Sequence, residues 1–284
     1  MSAQRTDTPL GHNRVLITGA SGFIGNRVYT ALINHGYRVS AIGRKKAGFS
    51  PDIEVKDLFS LSKEEWSSIV SGFDVVVHLA WYVNHNDYRH SPKNVECLQG
   101  TKNLINAVAE SDIEYFLASG TCLEYQETDL PMHVDMPLEG DTEYSRAKVE
   151  TFRYLSECFH AVQKKFGWAR IFFIYGEGEP KEKLYSYIKR QLSCNKPIEI
   201  NEPSLKLDFI SVENAVEQII SMVEQRYNGA ANICSGSSKT IQEFILSLPQ
   251  ARGKQVSFEK NEKNGEKPPR FIHGLPTQCL NKSE

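Results

Sequence analysis

Two side chains four residues apart have the types and the spacing for acid–base chemistry. Tyr144 and Lys148 stand in the stretch YSRAK, near the start of a pattern that predicts a long helix over residues 142–166. Side chains at positions i and i+4 lie on one face of a helix, so the ammonium is expected beside the phenol. A free tyrosine has a pKa of about 10, and a neighbouring cation favours the phenolate. The pair therefore predicts a general acid or base at Tyr144, with Lys148 lowering its pKa.

The stretch Ser119-Gly120-Thr121 places further hydroxyl groups before that helix. It ends a predicted buried strand that begins at Tyr115. The YxxxK spacing also occurs by chance on exposed helices. The pair indicates a catalytic role more strongly here because its helix follows the strand that ends in these hydroxyl residues. A hydroxyl at the strand end could bind the same substrate oxygen as Tyr144.

Three glycines at intervals of three follow a predicted buried strand at residues 15–18. Gly19 ends the strand in a tight turn, Gly22 leaves room for a pyrophosphate near the backbone, and Gly25 lets the next helix pack closely. The N-terminus of that helix then faces the anion. An ordinary glycine-rich turn is the alternative, but the strand and helix on either side favour dinucleotide binding.

The end of the second predicted strand, at residues 38–42, bears on which dinucleotide is bound. An NAD site usually carries an acidic residue about 20 residues past the glycine motif, where it accepts the ribose 2′-hydroxyl. This chain has Gly43-Arg44-Lys45-Lys46 there instead. Arg44, with Lys45 behind it, could hold a 2′-phosphate, so NADP(H) is predicted over NAD(H). A solvated turn of three cations is the alternative, and it leaves NAD(H) open.

The elements that must position these residues alternate between strand and helix patterns. Buried strands are also predicted at 74–80, 115–119 and 169–175, and another long helix is predicted at 92–111. This alternation predicts an α/β fold, with a doubly wound parallel sheet of the Rossmann type that is buried on both faces.

The domain boundaries follow from where this alternation stops. We assign residues 12–176 to the dinucleotide-binding domain and expect 207–235 to return to it. Residues 177–206 and 236–284 then form a smaller, discontinuous substrate-binding region over the carboxyl edge of the sheet, where open α/β folds bind ligands.

Composition and charge narrow the classes of function. The 284 residues carry a formal net charge of −2, which predicts no general attraction to nucleic acid or to a membrane surface. The chain shows no apolar run of about 18 residues, so neither a transmembrane helix nor a signal peptide is expected. The six cysteines form no CxxC pair and no zinc-like cluster with histidine. We therefore expect no metal site and a cytoplasmic location.

The chain resembles the extended short-chain dehydrogenase/reductases, in particular the nucleotide-sugar epimerases, dehydratases and reductases. The resemblance is carried by motifs that occur in the family's order: TGASGFIG (18–25), Asp57-Leu58, HLA (78–80), NVECLQGTKNL (94–104), SGTCLEY (119–125), YSRAK (144–148), RIFFIYG (170–176) and LDFISVENA (207–215).

The resemblance implies roles for particular residues. Thr121, Tyr144 and Lys148 would be catalytic, and Lys148 would also bind the nicotinamide ribose. Together with the residues derived above, the expected cofactor contacts are Gly19, Ser21, Gly22, Phe23, Ile24, Gly25, Arg44, Lys45, Asp57, Leu58, Leu79, Ala80, Trp81, Ser119 and Phe172. The helix at about 94–110 would form a homodimer through a four-helix bundle.

Departures from the family pattern narrow the reaction. Sugar 4,6-dehydratases of this family carry an acidic residue one or two places after the catalytic Thr, where this chain has Cys122 and Leu123. Dehydration is therefore not expected. Glu124 comes one position too late and would point to the opposite side from Leu123 in an extended stretch. Cys122 could be an acid or a small residue packed against the cofactor. Two histidines, His78 and His133, are further candidate acids on which no prediction rests.

The substrate end of the chain matches the family less closely. Phe173 stands where an Asn often precedes the YG stretch, and Leu207 stands where an Arg often precedes Asp-Phe-Ile. Three cations could supply replacement charge, although each could equally be a solvated surface residue. The two aromatic residues after HLA would form a packed pair or a substrate platform. The expected substrate contacts are Trp81, Tyr82, Thr121, Phe173, Lys183, Lys206 and Arg270.

These inferences lead to an NADP-dependent oxidoreductase acting on a nucleotide-linked sugar, with reduction of a 4-keto-6-deoxyhexose as the first expectation. An NAD-dependent C4 epimerase would use the same three catalytic residues on a cofactor that it retains. A non-catalytic dinucleotide-sensing protein is the alternative of another class. Such proteins often lose the Tyr or the Lys, whereas this chain has both.

Overall fold

The structure, a computed structural model, describes residues 14–200, 205–253, 255–260, 271–277 and 280. The predicted substrate contact Arg270 lies outside the described residues. Within them the strands are β1 (Arg14–Thr18), β2 (Arg38–Gly43), β3 (Ile53–Glu54), β4 (Val75–His78), β5 (Tyr115–Thr121), β6 (Lys165–Ile171), β7 (Phe173–Tyr175), β8 (Ile198–Ile200), β9 (Lys206–Ser211), β10 (Gly229–Ile233), β11 (Ser238–Thr240), β12 (Phe258–Lys260) and β13 (Phe271–Ile272). The α-helices are α1 (Phe23–Asn34), α2 (Lys63–Val70), α3 (Lys93–Ala109), α4 (Glu143–Ala161), α5 (Leu184–Ser193), α6 (Val212–Glu224) and α7 (Ile241–Ser247).

The main sheet has seven parallel strands in the order β10-β6-β5-β4-β1-β2-β3. Its central strands are continuous runs of apolar residues, because both faces of the sheet are covered by helices. Val15 and Ile17 of β1 pack with residues of α1 and α6, whereas Leu16 packs with residues of α2, α3 and α4. This alternation is the two-core arrangement that a doubly wound α/β fold requires.

Two predicted elements have different bounds in the structure. The stretch 169–175, predicted as one strand, is divided at Phe172 between β6 in the main sheet and β7, which pairs with β9 in a smaller sheet. The helix predicted to reach residue 166 ends at Ala161, because the chain turns through Gln163, whose φ is +53°, before β6 begins. Both differences arise from tertiary pairing that hydrophobic periodicity does not report.

The smaller region is built around β9, which pairs with β7, β11 and β13. The chain therefore returns to the main sheet at Val212 rather than at residue 207, through α6 and then β10. A separate parallel pair, β8 and β12, completes this region together with α5 and α7. Leu205, Leu207 and Ile272 pack against Cys122, which follows β5. This contact holds the smaller region at the carboxyl edge of the main sheet.

Candidate active site

The glycine-rich turn between β1 and α1 is compact enough to exclude side chains. Gly19 has a φ of +75°, and a Cβ there would lie 2.8 Å from the backbone of Leu79 and Ala80. A Cβ on Gly25 would collide with the carbonyl group of Gly19. Gly22 donates its N–H to the Gly19 oxygen over 2.9 Å and lies just before α1. The turn is therefore fixed by backbone contacts that only glycine permits.

The N-terminus of α1 suits an anion. Among the described residues, no side chain caps this helix, and its first turn holds no acidic residue. Its first N–H groups and its dipole are thus available to a pyrophosphate. The predicted contacts Ser21 and Gly22 are exposed, while Phe23 and Ile24 are partly buried. The cradle fits a dinucleotide in shape and in charge.

The residues predicted to surround the far end of the cofactor lie after β2 and before α2. Arg44 and Lys45 are both exposed directly after β2. Asp57 accepts the N–H of Phe59 over 3.1 Å and so begins a short 3-10 turn, in which Leu58 is buried. The two cations are free of secondary structure and can reach an anion near the end of β2.

Tyr144 and Thr121 come together at the carboxyl end of β5. Thr142 caps α4 by accepting the N–H of Ser145, and this capping fixes where the helix begins. The Tyr144 ring, in the first turn, reaches the hydroxyl of Thr121, and a hydrogen bond between the two side chains works to lower the pKa of the phenol. The backbone N–H of Tyr144 donates to the carbonyl of Arg89 over 3.0 Å. The two predicted hydroxyl groups are therefore adjacent.

The pKa of Tyr144 differs from the sequence-based expectation. Burial raises this pKa above its usual value, and the neighbouring groups of Tyr88 and Glu124 raise it further. Lys148 does not counteract this shift, because its ammonium is directed elsewhere. The phenol of Tyr144 is accordingly protonated at neutral pH in the structure, which suits a proton donor.

Lys148 lies beneath the aromatic wall of the site. Its Nζ donates to the carbonyl of Ser119 over 2.8 Å and lies 3.7 Å from the centre of the Trp81 ring. The side chain is only 2% exposed, and burial lowers its pKa to about 7, against the opposing charge of Glu124. A cation at this distance over an indole face is stabilised by the ring quadrupole.

The loop after β4 supplies two aromatic residues around Tyr144, of which the sequence analysis singled out Trp81 but not Tyr88. The Tyr88 ring packs edge-on against the Tyr144 ring, with centroids 5.0 Å apart, and the Trp81 ring does so at 6.4 Å. Trp81 donates its Nε1–H to Asn94 over 2.9 Å, and the amide of Asn94 donates to the carbonyl of Tyr88. In the sequence, Tyr88 is simply an aromatic residue in a polar loop, and no spacing links it to Tyr144.

Three residues weighed as acids in the sequence analysis, Cys122, Glu124 and His78, are all buried. Cys122 is buried in an apolar cluster, where burial raises the pKa of its thiol. Glu124 is fully buried and accepts hydrogen bonds from Trp168 and Arg170. His78 lies between the hydroxyls of Thr18 and Thr101, where burial lowers its pKa to about 3. The described structure thus places no free carboxylate directly behind Thr121.

The predicted substrate contacts fall into two groups. Trp81 and Thr121 lie at the catalytic end beside Tyr144, where the predicted cofactor contact Phe172 is buried near Cys122. Tyr82 is engaged within its own loop, since its hydroxyl donates to Asp87 and its ring packs under Lys93. The remaining described members lie in the smaller region, where Phe173 packs on Phe209, Lys183 precedes α5 and Lys206 is exposed in β9.

The described residues contain no group of three or more His, Cys, Asp or Glu side chains that could hold a metal ion. No helix within them is long and apolar enough to cross a membrane.

Comparisons with known proteins agree with this architecture. A dTDP-6-deoxy-L-talose 4-dehydrogenase (NAD(+)) from Aggregatibacter actinomycetemcomitans is 26% identical over 245 residues, which cover 81% of this chain and 89% of the relative. A dTDP-4-dehydro-6-deoxyglucose reductase from Escherichia coli is 27% identical over 264 residues, which cover 83% and 81%. The UDP-glucuronic acid 4-epimerase from Bacillus cereus, solved with UDP-glucuronic acid and NAD, has a TM-score of 0.77 at 20% identity over 94% of this chain and 91% of that chain.

The likeness in structure confirms the predicted Rossmann-type fold. The sequence model of the NAD dependent epimerase/dehydratase family matches residues 15–234, a span that includes both the glycine-rich turn and the Tyr144–Lys148 pair. The chain therefore belongs to the NAD dependent epimerase/dehydratase family and is a nicotinamide-dependent enzyme of the extended short-chain dehydrogenase/reductase type.

Proposed function

We propose that this enzyme reduces a nucleotide-linked 4-keto-6-deoxyhexose to the alcohol, with NADPH as the preferred cofactor. The observation that carries the proposal is the Tyr144 phenol, protonated and adjacent to the Thr121 hydroxyl, in a site without a free carboxylate behind Thr121. The dehydrogenase from Aggregatibacter actinomycetemcomitans and the reductase from Escherichia coli are both named as oxidoreductases of dTDP-linked 6-deoxyhexoses that act at C4.

The proton of this reaction comes from the protein. The bound nicotinamide supplies the hydride that is added to the C4 carbonyl carbon. Tyr144 donates its phenolic proton to the carbonyl oxygen, and Thr121 holds that oxygen by a hydrogen bond. Lys148, at the floor of the site, would bind the ribose of the cofactor. One hydride and one proton together convert the ketone to the alcohol.

Tyr144 can act as the general acid of a reductase, because burial raises the pKa of its phenol and keeps the phenol protonated at neutral pH. An epimerase would use the same phenol first as a base and then as an acid. The C4 epimerase remains the second candidate because solved epimerases share the fold. Dehydration lacks its acid, since Glu124 is bound to Arg170.

The preference for NADPH is supported by Arg44 and Lys45, both exposed after β2. An Arg–phosphate contact is worth about 1.5–3 kcal/mol, so Arg44→Ala should weaken NADPH about ten- to hundredfold and leave NADH unchanged. Arg38→Ala, at the opposite end of the same strand, is the matched control. Equal effects of Arg44→Ala on both cofactors would move the assignment to NAD, the cofactor in the name of the Aggregatibacter relative.

Substrate recognition is assigned to both sides of the cleft. Trp81 forms a wall beside Tyr144 and is followed by Tyr82, while Phe173 and the two lysines, Lys183 and Lys206, lie in the smaller region. The lysines are proposed to compensate the nucleotide diphosphate charge. Loss of affinity without loss of kcat in either Lys→Ala variant would support this, and unchanged KM would remove that residue from the site.

The enzyme is further proposed to act as a homodimer through α3. This helix leaves Val95 exposed and Leu98 partly exposed, and both line a groove of about 400 Å³ between α3 and α4. The α4 side of the groove carries Glu143, Arg146 and Glu150. An apolar strip with charged residues beside it suits a helix-bundle contact between two copies.

The experiment that tests the reaction starts with the purified protein. Native mass spectrometry identifies any retained dinucleotide, and a panel of nucleotide-linked 4-ketosugars and 4-hydroxysugars is then assayed with NADPH and NADH. Tyr144→Phe should bind cofactor normally and lose turnover. The control Tyr154→Phe, ten residues further along α4, should retain both cofactor binding and turnover. Tightly retained NAD with interconversion of two 4-hydroxysugars would establish the epimerase instead.

A further inference from the structure

A fully buried carboxylate lies directly behind the catalytic hydroxyl and is not part of the proposed chemistry. Glu124 belongs to the short 3-10 turn that follows β5, and it is 0% exposed. Its oxygens accept the backbone N–H of Thr121 over 2.7 Å, the indole N–H of Trp168 over 2.9 Å and the Nε–H of Arg170 over 2.8 Å. Every one of these donors is buried, so water does not compete for the carboxylate.

The charge of this carboxylate is balanced by a second buried group. Arg170, on β6, is 1% exposed, and its Nη1 donates to both the carbonyl of Val134 and the hydroxyl of Tyr125. Tyr125 in turn donates to Asn232 of β10 over 2.6 Å. The network therefore links the turn after β5 to β6 and to β10, the strand beyond it. An arginine that binds several partners holds their geometry more firmly than one in an isolated contact.

The backbone before Thr121 independently leaves room for the carboxylate. A Cβ on Gly120 would collide with Oε1 of Glu124 and with Nε1 of Trp168. The space that a side chain would fill is taken by the carboxylate and the indole group that bind each other. The geometry at Gly120 thus depends on the network as well as on the strand.

We propose that Glu124, paired with Arg170, is a positioning residue that fixes the Thr121 hydroxyl against Tyr144 through the Thr121 backbone N–H. Two hydrogen bonds hold this turn. The Glu124 carboxylate accepts the N–H of Thr121, and the Thr121 hydroxyl accepts the N–H of Leu123 over 3.3 Å. The effect of Glu124 on turnover rests on the proposed reductase function, whereas its effect on the Thr121 backbone does not.

The test replaces the carboxylate by an amide of the same shape. Glu124→Gln keeps an acceptor but removes the charge, so exchange of the Thr121 amide proton, followed by NMR, should become at least tenfold faster. On the ketosugar panel its kcat should fall about ten- to hundredfold, while KM and the cofactor Kd change less than threefold. Asp74→Asn is the matched control, a buried carboxylate bound to Arg14 at the opposite edge of the sheet.

The outcomes separate positioning from mere stabilisation. If Glu124→Gln and Asp74→Asn lower the melting temperature equally, but only the first changes Thr121 exchange and kcat, the proposal stands. Unchanged Thr121 exchange, or equal kcat losses in both variants, overturns it. If the wild type turns over no ketosugar, the proposed function fails and Thr121 exchange alone decides. Should Glu124→Gln not fold, Gly120→Ala, which displaces the carboxylate and keeps both charges, carries the same test.

Discussion

The buried ammonium of Lys148 should make the stability of the enzyme rise with pH. In the unfolded chain this group has its ordinary pKa of 10.5, whereas burial lowers the pKa to about 7 in the folded protein. Between these two values the unfolded state binds the proton and the folded state releases it. The contribution of Lys148 to the free energy of unfolding is therefore fully present above pH 10.5 and is lost as the pH falls from 10.5 to 7.

The size of the effect follows from the shift. One pKa unit corresponds to about 1.4 kcal/mol. Burying Lys148 therefore lowers the free energy of unfolding by about 4 kcal/mol at pH 7 and by about 2 kcal/mol at pH 9. Wild-type protein should gain about 2 kcal/mol between these pH values, which corresponds to roughly 4 to 6 °C in Tm for a chain of this size. A Lys148→Met variant, which fills the same space without a charge, should lack that gain.

The assay is thermal unfolding of the ligand-free protein in matched buffers from pH 7 to pH 9. Subtracting the Lys148→Met curve from the wild-type curve removes all other titrating groups. Lys56→Met, at an exposed position, controls for loss of one lysine. Parallel pH dependence of wild type and Lys148→Met would refute the reasoning, since the buried ammonium would then carry no cost.

Three further predictions concern the cofactor cradle, the core and the dimer. Gly25→Ala should abolish measurable cofactor binding by fluorescence titration, because its Cβ collides with the Gly19 carbonyl; retained affinity would contradict the cradle. Burial lowers the pKa of His78 to about 3, so the free energy of unfolding of the wild type should fall by about 2 kcal/mol between pH 7 and pH 5. Urea unfolding of the wild type and of His78→Gln measures this difference. Leu98→Glu should convert a dimer to a monomer in light scattering, and an unchanged mass would exclude α3 from the interface.

The sequence predicted best those features that depend on local spacing. The turn at Gly19, Gly22 and Gly25 lies where strand and helix patterns placed it, because its geometry is set by neighbouring residues along the chain. The i+4 spacing also placed Tyr144 and Lys148 on one helix, yet it did not predict where the ammonium points. That direction depends on the Ser119 carbonyl and the Trp81 face, which belong to other elements.

Features made by long-range packing escaped sequence analysis. Tyr88 reaches Tyr144 only because its loop is tied to Asn94 and α4, and nothing in its spacing shows this contact. Glu124 was considered only as a misplaced acid, whereas its partner Arg170 lies 46 residues away on the adjacent strand. Parallel pairing of β5 with β6 creates that contact, and single-sequence periodicity does not specify which strands are neighbours.

One buried carboxylate connects the two ionisable catalytic side chains. Burial favours the neutral form of both, lowering the pKa of Lys148 and raising that of Tyr144. The charge of Glu124 raises both values, so it opposes burial at the lysine and reinforces burial at the tyrosine. Glu124 thus favours the ammonium form of Lys148 and the protonated phenol of Tyr144, the forms that a reductase needs before hydride transfer. The carboxylate proposed to order Thr121 therefore also acts on the protonation of both side chains.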